Sequence, residues 1–129
     1  MVAAYKEAIT NWNKTGAFIF TLTDDASTAD IVATDYSDAN SQAAGLADTQ
    51  TNVLTNRITH VDVKLNRYFL LNSDFGYTHK RIVNTAEHEL GHAIGLDHDD
   101  SKTSVMQSAG SYYGIQQVDI DTVHALYAN

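Results

Sequence analysis

His88-Glu89-Leu90-Gly91-His92-Ala93-Ile94-Gly95-Leu96-Asp97-His98 is the stretch on which the reading of this chain turns. Residues four apart on an α-helix share a face about one turn apart, so His88 and His92 can direct their imidazoles at one point. Glu89 sits one position round from His88, beside that point and not on it. Were the helix to run on to His98, a rise of about 1.5 Å per residue would place that ring roughly 15 Å from His88. Gly95 removes the difficulty, because glycine readily takes the left-handed conformation that ends helices and turns the chain back.

Three neutral imidazoles suit zinc, and catalytic zinc sites typically use three protein ligands and keep one position open. The spacing therefore predicts one catalytic zinc on His88, His92 and His98. A metal of this kind lowers the pKa of a water in its open position from near 16 to about 7, and Glu89 is placed to act on that water as a general base. The pattern arises by chance at about 10⁻⁷ per position on average composition. The competing reading is a non-catalytic, zinc-stabilised binding module, in which the ion only fastens the His98 loop to the helix. Against it stand Glu89, which a purely structural site does not need, and the lack of a fourth ligand at obvious spacing.

Working outward, Lys80 to Ile94 reads as the active-site helix, capped by Thr78 and stopped by Gly95. Upstream, Tyr5, Ala8, Ile9 and Trp12 recur at helical offsets, so Tyr5 to Trp12 is a first helix. Phe18 to Leu22, Ala29 to Thr34 and Ile58 to Leu65 carry the β-branched and aromatic residues of strands. Asp35 to Asn56 is polar and small, and is expected to be a long surface loop with at most a short strand near Leu46. Phe69 to Tyr77 is expected to be a loop. Val118, Ile120, Val123, Leu126 and Tyr127 mark a closing helix.

The chain has 129 residues, the size of a single domain, with 16 acidic against 8 basic side chains and a formal charge of −8. An acidic surface offers no footprint for nucleic acid. There is no cysteine, which removes disulfides, thiolate chemistry and sulfur-ligated zinc. No apolar run has the length of a membrane span, and the N-terminal residues lack the pattern of a signal peptide. A monomer is expected, either cytoplasmic or a processed piece of a secreted or cell-surface precursor, the secreted origin being preferred. His60, His79 and His124 are isolated in sequence and are read as structural or solvated.

The eleven-residue stretch from His88 to His98 resembles the extended zinc signature of the metzincin metalloproteases, and Ser104-Val105-Met106 follows where that clan has its Met-turn. Across the chain the similarity is to the matrixin catalytic domain: Ala8, Ile9 and Trp12 resemble its first helix, Ala29-Asp30-Ile31 a strand, Ile58 to Asp62 the strand before the active-site helix, and Asp119-Ile120 with Leu126-Tyr127 the closing helix. The resemblance implies an α+β metzincin fold over residues 1–129, with a mostly parallel twisted sheet, an antiparallel edge strand that pairs with extended peptide substrate, and endopeptidase activity. It implies that Met106 forms an apolar floor beneath the zinc. Asp99 after the third histidine is more like the adamalysin branch, with a carboxylate that braces the loop. Tyr112 and Tyr113 are candidate walls of the substrate pocket.

The chain also departs from the matrixin pattern. The strand that matrixins place before the first helix has no counterpart ahead of Tyr5. Leu46-Ala47-Asp48 stands where structural-zinc histidines are found, although His60 matches one such position. Val63-Lys64-Leu65 replaces calcium-binding carboxylates. A second zinc and a calcium are therefore not expected.

Overall fold

The computed structural model describes residues 1–128. Its centre is a three-stranded sheet in the order β1-β3-β2, with β1 at Ile31–Tyr36, β2 at Gly45–Thr51 and β3 at Ile58–Asn66. β1 runs parallel to β3, and β2 is antiparallel to it. The sheet is mixed, as a metzincin-type α+β fold requires. Val61, Val63 and Leu65 alternate along β3 onto one face and are essentially inaccessible, the period-two pattern of a strand with one buried side.

Two helices cover that face. α1 at Val2–Lys14 buries Ala4, Tyr5, Ala8 and Trp12, the stripe at helical spacing. The Trp12 indole N–H donates to the Glu87 carbonyl at 3.0 Å, which locks α1 across the second helix. The Tyr5 hydroxyl reaches the Thr34 carbonyl on β1 at 2.7 Å, so the buried phenol is satisfied.

A short helix, α2, occupies Arg67–Leu70 and a single 3₁₀ turn Ser73–Phe75, within what the sequence suggests is loop. Asn66 and Asn72 start them, each side chain accepting a backbone N–H two residues on. α3 follows at His79–Ala93, and Thr78 caps it by accepting from the Arg81 N–H at 3.2 Å. α4 at Gln117–Tyr127 closes the domain, its Tyr127 hydroxyl donating to the Ile94 carbonyl at 2.7 Å.

Two expectations need correction. Phe18 to Leu22 forms no strand: the Asn13 side-chain amide brackets Phe20, accepting its N–H at 2.7 Å and donating to its carbonyl at 3.0 Å. With those groups taken, the segment joins no ladder, and the outer edge of β1 has no strand partner among the described residues. A groove of about 660 Å³ separates the two. The polar stretch from Asp35 to Asn56 holds a seven-residue strand, β2, where at most a short one is expected. Gly45, Ala47 and Thr49 pair opposite Leu65, Val63 and Val61, so β3 supplies the ladder that β2's own composition does not advertise.

Among the described residues no helix is long and apolar enough to cross a membrane.

Candidate active site

α3 contributes the first two histidines and the glutamate. His88 and Glu89 are buried and His92 is half-buried. The helix then ends as its glycine demands. Gly95 adopts φ +106°, the Leu96 N–H donates to the Gly91 carbonyl at 2.9 Å and the Gly95 N–H to the His92 carbonyl at 3.0 Å. This pair of bonds is a Schellman ending, and it returns the chain so that exposed His98 faces the other two rings.

One nitrogen from each of His88, His92 and His98 lies within 4.8 Å of the other two. Ring centroids are 4.8, 4.9 and 5.2 Å apart. Main-chain carbonyls orient two of the rings. His88 Nδ1–H donates to the Val105 carbonyl and His92 Nδ1–H to the Leu96 carbonyl, both at 2.8 Å. Those bonds fix the tautomers and leave each Nε2 lone pair for a metal. The donor set fits zinc, being three imidazoles with two held in the ligating tautomer and, among the described residues, no fourth protein donor in the cluster.

Burial favours the neutral form of the His88 and His92 imidazoles, the form in which they can ligate a metal. It pushes His88 down to about 4 against the help of the Val105 carbonyl, and lowers His92 as well. The same loss of water raises the Glu89 carboxyl to about 7. Glu89 falls outside the ligand cluster and borders the same cleft.

That cleft measures about 990 Å³. Gly45 to Ala47, Thr49 and Thr51 of β2 form one wall; the three histidines, Glu89 and Ser108 to Gly110 also line it. β2 is an edge strand, and its edge away from β3 carries no ladder among the described residues.

Met106 is 1% exposed and packed so closely on α3 that a Cβ at Gly91 would stand 2.5 Å from its sulfur. Asp99 reaches this turn through its backbone, with its N–H on the Met106 carbonyl at 2.9 Å. Its carboxylate instead accepts from the Ser101 N–H and hydroxyl, which hold its pKa below the usual range. The bracing expected of that side chain is thus confined to the turn at 99–101.

Tyr112 and Tyr113 do not line the cleft. Both are exposed, and the Tyr112 ring lies against the Arg81 guanidinium at 4.6 Å, with Tyr77 on the other contact at 4.2 Å. Gly110 stands in the cleft wall beside the His88 ring, where the sequence reading looks two residues further on. His60 is engaged with Asp62 on β3 at 3.0 Å, His79 with Glu7 at 2.7 Å, and His124 is exposed on α4; none joins the triad.

Several contributors escape sequence reasoning. The Val105 and Leu96 carbonyls have no residue signature at all. Buried Asp119 accepts from the Ser104 hydroxyl and from the Val105 and Gln116 N–H groups, the last two at 2.9 Å. Its only sequence signal is an acid at the start of a helix. Buried Glu87, raised by desolvation, accepts from Asn11 at 2.8 Å and holds α1 to α3 behind the site.

The family model of the matrixins matches residues 1–128, nearly the whole chain. No curated protein matches it.

Proposed function

Since the chain belongs to the matrixin family of zinc metalloendopeptidases, we propose that it cleaves extended peptides with Glu89 as general base. A bound zinc supplies Lewis acidity, polarising the scissile carbonyl and acidifying water. His88, His92 and His98 would hold it. All other steps belong to side chains and backbone of this chain.

The observation that carries the reading is the placement of Glu89: its side chain is buried, lines the cleft together with the three histidines and stands outside the ligand cluster, free to take a proton from water there. It takes a proton from the attacking water and passes it to the leaving amine nitrogen as the C–N bond breaks. One carboxyl group thus serves both halves of the reaction.

Substrate binding follows from the wall beside it. The unpaired edge of β2 offers main-chain donors and acceptors to an extended peptide, which adds as a further strand across the cleft. Such pairing reads backbone first, so side-chain selectivity falls to the other walls of the cleft, Ser108 to Gly110 among them.

The deciding experiment is a peptide-library digest by the wild type and by Glu89→Ala, with zinc content measured in both. About one zinc per chain in each, with cleavage lost by at least about 10³-fold in the variant, is the expected result. Undiminished cleavage by Glu89→Ala refutes the general-base role.

A further inference from the structure

β2 turns Gly45 and Ala47 toward α3, in register with Leu65 and Val63 of the buried face of β3. A Cβ on Gly45 would stand 2.7 Å from Glu89 Oε2, 2.8 Å from its Cγ and 3.0 Å from its Cδ. Carbon contacts are most favourable at about 3.5 to 4.0 Å, so these are collisions. The three nearest atoms all belong to the one glutamate.

The backbone does not ask for glycine here. The left-handed glycines are Gly16, Gly76, Gly95 and Gly110, and Gly45 is not among them. Glycine weakens a strand interior, and it commonly marks a place where something must approach closely. The closest approach at Gly45 is the Glu89 side chain.

We propose that Gly45 is a positioning residue for the reaction: its missing side chain is the berth in which the Glu89 carboxylate rests, so the cleft-wall strand and α3 together fix where the base stands. This rests on the general-base reading of Glu89. A methyl group at 45 meets the Glu89 side chain from Cγ outward and not backbone, so the fold survives and the glutamate side chain is what moves. Displacement by about 1 Å of a catalytic group can cost on the order of 10²-fold in rate.

The test is a double-mutant cycle on the full chain. Gly45→Ala should keep its zinc and a KM within about 2-fold, and lose about 10- to 100-fold in kcat. Melting of the metal-free proteins gives a readout free of turnover: Gly45→Ala should lower Tm when Glu89 is present and leave it unlowered in Glu89→Ala, where the collision is gone. Equal Tm shifts in both backgrounds, or wild-type kcat in Gly45→Ala, overturn the proposal. Cleavage by Glu89→Ala alone would remove the base on which the proposal depends, and the Tm comparison identifies that failure separately from a wrong contact.

Discussion

The Asp119 carboxylate accepts the Val105 backbone N–H at 2.9 Å, and Val105 in turn offers its carbonyl to His88 Nδ1 at 2.8 Å. A carboxylate on α4 is thereby connected, through one residue, to the orientation of a metal ligand on α3. The same carboxylate takes the Ser104 hydroxyl and caps its own helix through the Gln116 N–H.

Asp119→Ala strands three donors in a site only 3% exposed. Each buried unsatisfied group costs about 1 to 3 kcal/mol, with partial relief from water, so a loss of about 3 kcal/mol is expected in urea unfolding of the metal-free protein. Zinc affinity should fall with it, because the Val105 carbonyl loses its anchor. A change under about 0.5 kcal/mol would show that the turn at Met106 holds itself.

Gly95→Ala tests the bend that delivers His98. At φ +106° an L-residue is strained by about 1 to 3 kcal/mol, while its new Cβ would meet Leu126 only at an ordinary 3.6 Å. The strain is therefore in the backbone, and relief by straightening the turn carries His98 away. A competition titration should show weaker zinc binding in Gly95→Ala, and weaker still in His98→Ala; unchanged affinity in the latter would strike His98 from the ligand set.

Gly91→Ala should reverse an ordinary trend. Alanine in place of glycine inside a helix normally stabilises by about 0.5 to 1 kcal/mol. Here the added Cβ would lie 2.5 Å from the Met106 sulfur, in a region where both residues are buried. Overpacking of that kind costs about 1 to 3 kcal/mol. Thermal melts should show a lower Tm for Gly91→Ala than for the wild type, and no such lowering when Gly91→Ala is introduced into the Met106→Ala background; a raised Tm in the single variant would mean the Gly91–Met106 contact is loose.

In the metal-free protein His88 and Glu89 should pull stability in opposite directions between about pH 4.5 and 6.5, so that their joint pH dependence is shallow. Unfolded His88 takes a proton near its ordinary 6.5 and folded His88 only near 4, so acidification from about 6.5 favours the unfolded chain. Glu89 acts in the other direction: the folded carboxyl keeps its proton up to about 7, the unfolded one gives it up near 4.5, and stability drains as pH rises through that interval. Urea unfolding of wild type and Glu89→Gln isolates the second effect, since all other groups are shared. The variant should gain on the wild type as pH rises from 4 to 8, and a difference independent of pH would discount the buried carboxyl.

The catalytic helix was the most legible part of this chain because its information is local. Four-residue spacing puts His88 and His92 on one face, and Gly95 declares the bend. β2 is the opposite case. Gly-Leu-Ala-Asp-Thr-Gln-Thr from Gly45 has little intrinsic strand preference, and its structure comes from pairing with β3 across the sheet. Phe18 to Leu22 fails for the complementary reason. Its aromatic composition suits a strand, but Asn13 removes Phe20 from any ladder. Of the site itself, the ligands announce themselves by residue type, whereas Asp119 and Gly45 act through contacts distant in sequence that no local pattern encodes.

The two helical histidines of the triad are steered by peptide oxygens, those of residues 96 and 105, and not by acidic side chains. Peptide oxygens survive any replacement of the side chain that shares their residue. Mutational drift at either position can therefore shift the depth or slant of a ring without deleting its acceptor. An uncharged acceptor also passes no negative charge through the imidazole, leaving a divalent ion there more electron-hungry than one backed by carboxylates.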